Sequence, residues 1–450
     1  MDFHTSTSPE ATAPLQQVAF VTLGCAKNEV DTARMKQELR HAGYAVGEDP
    51  EQAQCVIVNT CSFIQDATEE SLDTIFELAE LPNFKDHGAK IIVAGCMPAR
   101  YGTDLQEELT EAHAFVPCSK EDDIAQVVFD LIGPGTASLA SDGTSLGAHD
   151  YEPTAGAYST YVKISDGCDR FCSYCTIPYI RGRYHSFTYE HIREEVERAV
   201  ASGVKEVILI AQDTGRWGAD FSEPLSLAWL MGQLAEEFRT TWFRVMYVQP
   251  EGITDQLLTV MARHVNICSY LDIPLQHVNP QILKAMNRRG SRESFDDLCA
   301  RIRQMVPDIT LRTTLIAGFP GETDDQFDEL CDFVEECDFD YIGVFPYSQE
   351  EGTKAADLPQ QLSPEEKQDR AQRVRDLADA VCTARVAERV GSRVTVLVEG
   401  TEEDGQLFGR AMSQAPEVDG CTYVNGGTPG SFVQVQITDA LFYEMEGELL

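Results

Sequence analysis

The sequence predicts an α/β chain in three parts: an N-terminal doubly wound parallel sheet, a central partial (β/α)6 barrel and a small all-β barrel at the C-terminus. Three observations lead there. Apolar runs alternate with helix-like stretches over residues 16–133 and again from Ser159, the order that parallel sheets require. A Gly/Ser/Thr-rich run from Gly133 to Gly156 parts the two regions and reads as a linker or long loop. From Gly391 the pattern changes to short strands and turns, as in a small closed barrel. The expected divisions are a disordered tail over 1–15, domains over 16–133, 158–390 and 391–450, and a linker over 134–157. A chain of 450 residues has ample core for this many domains.

In the first domain one arrangement occurs three times. The apolar runs that begin at Val18, Cys55 and Lys90 end in Cys25, Cys61 and Cys96. Continuous apolar strands of this kind suit a parallel sheet covered on both faces. Helical stretches at Val30–His41 and Thr68–Ala79 separate them. In such sheets the carboxyl ends of the strands form the ligand crevice. Cys25, Cys61 and Cys96 are therefore expected to meet at one edge as a three-thiolate site. Buried cysteines are common as small apolar residues, and Cys55 within a strand is read that way. Three at equivalent strand ends are not.

The central domain carries Gly167-Cys168-Asp169-Arg170-Phe171-Cys172-Ser173-Tyr174-Cys175 after its first strand. The C-x3-C-x2-C spacing can hold three irons of a [4Fe–4S] cube and leave the fourth open, whereas ferredoxin runs space their cysteines differently and close the fourth site. Zinc generally takes four ligands, and no fourth Cys or His follows at short spacing. An open iron accepts the amino and carboxylate groups of S-adenosylmethionine, so the spacing points to a radical enzyme that cleaves this sulfonium. Later strands are expected at Val204–Ile210, Phe243–Val248, Tyr270–Ile273, Ile309–Ala317 and Tyr341–Phe345. Six β/α units suggest an incomplete barrel with its chemistry at the C-terminal mouth. The turns there carry Gln212 and Asp213 after the second strand, and Gly318 and Gly321 after the fifth. With Tyr174, whose ring can pack on an adenine face, these are the expected cofactor contacts. His277 is read as a structural histidine.

A long helix is expected from Ser363 to about Val390, with Pro364 in its first turn and Glu366 closing a capping box. Strands follow at Ser392–Glu399, Leu407–Met412, Thr422–Asn425 and Phe432–Leu441. From Gly391 to Leu450 there are ten Asp/Glu, two Arg and no Lys. The whole chain has a net charge of -39. That opposes binding to bare nucleic acid, whose readers are basic, and favours a basic protein partner.

The start, Met1 to Leu15, has no basic stretch followed by an apolar one, so no signal peptide is expected. No apolar run is long enough to cross a bilayer. The expected compartment is the reducing cytoplasm, with the 14 cysteines as thiols or cluster ligands.

Along nearly its whole length the chain resembles the methylthiotransferases of the radical S-adenosylmethionine superfamily. That family joins an N-terminal domain with three dispersed cysteines, a radical SAM barrel with C-x3-C-x2-C, and a C-terminal TRAM barrel. Thr22-Leu-Gly-Cys-Ala-Lys-Asn-Glu-Val-Asp31, Pro274-Leu-Gln-His277, Met286-Asn-Arg-Arg-Gly290, the run Phe345–Thr353 and the run Gly409–Gly420 resemble its ribosomal-protein (RimO) branch. Thr176-Ile-Pro-Tyr-Ile-Arg-Gly-Arg183 leans toward the tRNA-modifying (MiaB) branch. The resemblance implies transfer of a methylthio group to the β-carbon of an aspartate in ribosomal protein S-twelve. Cys168, Cys172 and Cys175 would hold the radical cluster, and Cys25, Cys61 and Cys96 an auxiliary [4Fe–4S] cluster. Two S-adenosylmethionine molecules and an external low-potential donor, such as flavodoxin or ferredoxin, are implied. Two alternatives stay open: a tRNA methylthiotransferase acting on a modified adenosine, which the acidic C-terminal barrel opposes, and a non-catalytic iron–sulfur protein docking on ribosomal components. Two sites each one ligand short oppose the latter.

Overall fold

The computed structural model describes residues 16–135, 151–337 and 339–450. The expected tail, and most of the expected linker, lie outside them. The chain divides into two compact units, the first ending at Ser145 and the second comprising Leu146–Leu450 with the short segment Phe63–Gln65.

The first unit runs β1 (Gln17–Thr22), α1 (Ala26–His41), β2 (Ala45–Gly47), β3 (Cys55–Thr60), α2 (Gln65–Ala79), α3 (Pro82–Lys85), β4 (Lys90–Gly95), α4 (Cys96–Glu108), β5 (Ala114–Pro117) and α5 (Ile124–Ile132). Its five strands pair in parallel in the order β2-β1-β3-β4-β5. Strand residues alternate between two cores. Val18, Phe20, Ile57 and Ile92 pack on α1 and α5 through Met35, Leu39, Ile124 and Val128. Ala19, Val56, Val58, Ile91 and Val93 pack with Ile75 and Leu78 of α2 and Met97 of α4. Each buried Val, Ile or Leu contributes roughly 1.5–3 kcal/mol, which makes both faces obligatory. Strand order reverses between β1 and β3, and such a switch point is where open α/β sheets place ligands.

The second unit opens with β6 (Ser159–Lys163), β7 (Ser165–Asp166), α6 (Ile177–Ile180), β8 (His185–Ser186), α7 (Tyr189–Ala201), β9 (Glu206–Ile210), α8 (Leu227–Glu237), β10 (Trp242–Val245) and α9 (Asp255–Arg263). It continues through β11 (Tyr270–Gln276), α10 (Pro280–Ala285), α11 (Arg292–Met305), β12 (Thr310–Ala317), α12 (Asp324–Glu336), β13 (Tyr341–Pro346) and α13 (Pro364–Ala387). The parallel triplets β10-β9-β6 and β11-β12-β13 are joined by a Phe243–Ile267 bridge and by Val248 N–H donating to Asp272 O at 2.9 Å. This is the expected six-strand partial barrel. At α13 the cap differs from expectation. The Ser363 hydroxyl accepts from Glu366 N at 3.2 Å, but the Glu366 carboxylate turns to Arg370 at 2.9 Å, because Arg370 offers a charge-assisted partner.

The last part, β14 (Arg393–Thr401), β15 (Leu407–Ala411), β16 (Thr422–Val424), β17 (Phe432–Leu441) and β18 (Glu444–Leu449), closes into a barrel in the order β14-β15-β16-β18-β17. It seats on the N-terminal ends of the central strands. Glu206, the first residue of β9, takes Arg244 Nε at 2.7 Å and Arg410 Nη2 of β15 at 2.6 Å. Arg410 also reaches Glu399 at 2.7 Å and Ser159 Oγ at 2.8 Å. Tyr270 Oη donates to Asp419 at 2.5 Å, and Trp242 meets Phe432 at 4.7 Å. Buried charges demand partners, and here the partners come from both barrels. The two therefore belong to one compact unit.

Candidate cluster and cofactor sites

In the first unit the three strand-end cysteines come to the same edge of the sheet. Cys25 precedes α1, Cys61 follows β3 and Cys96 begins α4. Asn28, fully buried, ties the three turns together. Its Nδ2 donates to Leu23 O at 2.8 Å and Thr60 O at 3.1 Å, and its Oδ1 lies 3.9 Å from Cys96 Sγ. Gly24 has φ +100°, and a Cβ there would stand 2.6 Å from Cys61 Cβ. That close approach needs glycine. Cys55, by contrast, is buried within β3, and burial pushes its thiol up to about 12. The sequence did not point to Asn28; its place three residues after Cys25 is the signal that was there.

In the second unit the C-x3-C-x2-C loop leaves β7 at Gly167 and ends at α6. Gly167 has φ +72°, and a Cβ there would meet Arg183 O at 2.3 Å, so the loop's start packs directly on its own return. Cys168 N donates to Gly182 O at 3.1 Å, and Cys175 N to Cys172 O at 3.0 Å. Arg170 Nε donates to Asp213 at 2.6 Å and Nη1 to Glu251 at 3.0 Å. Asn287, at φ +57°, donates to Arg170 O and Phe171 O, both at 3.0 Å. Ser173 N donates to Met286 O at 3.0 Å, and Ser173 O accepts from Ala355 N at 2.8 Å. Of seven non-glycine residues with positive φ among the described residues, Phe171, Tyr247, Gln276 and Asn287 lie at this end of the barrel. Each costs about 1–3 kcal/mol where the residue is bulky, and such strain gathers at functional sites.

The expected cofactor contacts fall into two groups. Gln212 is half-buried at the end of β9, and both its amide atoms are buried without a partner. Unmatched buried amides are costly, and this one leaves both a donor and an acceptor open to a polar ligand. Tyr174 packs beside Ile282, Met286 and Phe319, and its hydroxyl addresses Cys172. Asp213 is otherwise. It is fully buried and its carboxylate is taken by Arg170, so it holds the cysteine loop rather than presenting itself to a ligand. Gly318 and Gly321 have φ +78° and +80°. A Cβ on Gly318 would meet Lys367 Cγ at 2.9 Å and Cα at 3.0 Å, so its bareness serves contact with α13. Its N–H donates to both oxygens of Glu322 at 3.1 Å, and Glu322 is held by Arg370 at 2.9 Å. His277 is fully buried, with Nδ1 accepting from Asn279 N at 3.0 Å and Nε2 3.4 Å from Glu322, which suits a structural role.

The donor chemistry of both cysteine sets fits an iron–sulfur cluster, which thiolates ligate. Among the described residues no three His, Cys, Asp or Glu side chains gather closely enough for a single metal. An iron–sulfur cube spaces its thiolates more widely than one ion does. Burial pushes Cys175 up to about 12 and also raises Cys168. A cluster bound there would have to supply the energy of deprotonating Cys168 and Cys175.

Family models match the chain in three places: the uncharacterized protein family UPF0004 over residues 17–117, the radical SAM superfamily over 162–334 and the TRAM domain over 390–450. The barrel with its cysteine loop is thus a radical SAM domain, and the closed C-terminal barrel a TRAM domain. Among solved structures, a radical S-adenosylmethionine methyltransferase, TsrM from Kitasatospora setae, shares the fold with a TM-score of 0.53 and 14% identity, covering 74% of each chain. The cobalamin-dependent radical enzyme OxsB matches with a TM-score of 0.51 and 12% identity over 81% of this chain and 56% of that one. Curated relatives are much nearer. A protein of Natranaerobius thermophilus named ribosomal protein uS12 methylthiotransferase RimO is 40% identical, covering 96% of this chain and 99% of the relative. One of the same name from Pelotomaculum thermopropionicum is 42% identical, covering 96% and 99%. The chain belongs to the RimO family of radical SAM methylthiotransferases.

Proposed function

We propose that this chain places a methylthio group on the β-carbon of an aspartate of ribosomal protein uS12, the S-twelve protein of the sequence reading. The carrying observation is 40–42% identity to proteins of that name over 96% of the chain. Cys168, Cys172 and Cys175 would hold one [4Fe–4S] cluster, and Cys25, Cys61 and Cys96 the other. Loaded with S-adenosylmethionine, the first would supply a carbon radical strong enough for an unactivated C–H bond, and the second would carry the sulfur to be transferred. The chain's own part is placement. Asp213, Asn287 and Met286 fix the cysteine loop, and Gln212 offers an unmatched amide to the cofactor. The reaction is proposed to run in the cytoplasm with electrons from a flavodoxin or ferredoxin. No helix among the described residues is long and apolar enough to cross a membrane.

The TRAM barrel favours a protein target over RNA. Glu402, Glu403, Asp404, Glu417, Asp439, Glu444, Glu446 and Glu448 are all exposed. Glu402, Asp404, Glu446 and Glu448 line a concavity of about 440 Å³ beside Gln406 and Tyr423. This surface would repel phosphates and attract a basic protein. The barrel that carries it seats on the N-terminal ends of the central strands, whereas the cysteine loop follows the C-terminal end of β6. The decisive experiment is mass analysis of uS12 from cells with and without the gene. A methylthio mass increment that persists after deletion would refute the proposal.

A further inference from the structure

Beside the cysteine loop stands a cation that the mechanism above does not use. Arg288 follows α10 in the run Met286–Arg288, and this run grips the loop at successive residues. Asn287 holds the carbonyls of Arg170 and Phe171, Met286 O takes Ser173 N, and Arg288 Nη1 lies 3.9 Å from Cys172 Sγ. The other arm of the guanidinium donates to Pro274 O at the end of β11, and Arg288 N donates to Leu283 O at 2.7 Å. The charge is therefore fixed from two sides in a way that only a planar fork allows. Tyr174 and Cys172 are its near neighbours, and Glu251 acts on it electrostatically, but among the described residues it forms no ion pair with a carboxylate. Arg170 differs: its charge is matched by Asp213 and Glu251.

We infer that Arg288 is a positioning residue that raises the reduction potential of the cluster held by Cys168, Cys172 and Cys175. The inference rests on the reading that these cysteines hold a cluster. Reduction adds one electron from a low-potential donor and moves no atoms, so the cluster becomes more negative by one charge. A fixed cation beside one of its sulfurs stabilises that added charge, and charge and hydrogen bonds at the sulfurs are established determinants of such potentials. Without Arg288 the donor would face a steeper electron transfer.

The test uses the full-length protein reconstituted anaerobically, titrated with dithionite and followed by electron paramagnetic resonance without S-adenosylmethionine. The auxiliary cluster in the same chain is the internal reference. Arg288→Gln should keep its iron but make the radical cluster at least tenfold harder to reduce, a shift of about 59 mV for one electron. Arg288→Lys should keep part of the effect, and the auxiliary potential should not move. An unchanged potential at full iron content would overturn the inference. So would an unchanged potential with weaker S-adenosylmethionine binding, which would reassign Arg288 to the cofactor's carboxylate. If Arg288→Gln lost its iron, Arg288→Lys decides: a loaded cluster near the parent potential supports the charge, and loss there too reduces Arg288 to loop packing. Absence of a reducible cluster in the parent protein would instead refute the cluster reading itself.

Discussion

The two cysteine sites reach the same count of thiols by opposite routes. In the central barrel Cys168, Cys172 and Cys175 are neighbours in one loop, and the fold's task is to hold that loop still. It does so with Asp213, Asn287, Met286 and Ala355, drawn from three separate segments. In the first unit Cys25, Cys61 and Cys96 belong to three strand ends, and the sheet itself brings them together. Little is then left to hold: Asn28 spans the turns, and glycine at 24 allows them to touch. A contiguous motif is legible but mechanically soft, and a dispersed one is obscure but rigid. Losses at supporting residues should therefore hurt the first site gradually and the second abruptly.

The largest test separates the sites outright. The parent protein should hold about eight irons after anaerobic reconstitution. Replacing Cys168, Cys172 and Cys175 by Ala should leave about four and abolish cleavage of S-adenosylmethionine. Replacing Cys25, Cys61 and Cys96 should also leave about four, with cleavage kept and sulfur insertion lost. Iron counting with a cleavage assay on both variants checks this. A full complement in the second variant would dissolve the contrast.

The next largest effect lies at the floor of the barrel, at the opposite strand ends from the cysteine loop. Arg410→Met leaves Glu206 and Glu399 short of a buried partner and should cost about 3–5 kcal/mol in a denaturant melt. The same cluster sets an acid limit. Its arginines hold Glu206 down to about 2, against burial that opposes them. A depressed carboxyl contributes stability above its unfolded value, and that stability disappears as pH falls from the ordinary glutamate range toward 2. The loss should approach about 3 kcal/mol and be absent in Glu206→Gln. Removal of the TRAM barrel would strip the same partners, so point changes on its surface are the cleaner probe of docking.

Supporting residues should give smaller effects that sharpen the comparison. Asp213→Asn weakens the hold on Arg170 and should cost the radical cluster about 1–3 kcal/mol of stability, read as faster iron loss to a chelator. Asn28→Ala removes bonds to two turns at once and should release auxiliary iron more sharply. Gln212→Ala should weaken S-adenosylmethionine binding by about 1–2 kcal/mol, roughly five- to thirtyfold, with the melting temperature unchanged. Gly318→Val should do the reverse, lowering stability through Lys367.

The smallest effect concerns docking. Neutralising Glu402, Asp404, Glu446 and Glu448 should slow association with uS12 and flatten its salt dependence, since screening lengths fall to about 3 Å at 1 M salt. Cofactor cleavage without substrate should not change. Glu399 is unsuitable for this set because it pairs with Arg410 inside the seam.

The sequence by itself determined the layered order of the fold, because apolar runs bounded by helices have few other ways to cover both faces. It marked the C-x3-C-x2-C loop as well, since three cysteines in one loop carry their geometry in their spacing. Equivalent strand ends were enough to bring Cys25, Cys61 and Cys96 together, because parallel strands finish at one edge. The long-range partners were decided only by tertiary structure. Asp213 reads as a mouth residue but is taken by Arg170, forty-three positions away, and Arg410 of the last barrel closes on Glu206 across 204 positions. A side chain's spacing says which face it starts from. What it meets there depends on which distant charge was buried beside it, and a buried charge accepts only a partner that the finished packing supplies.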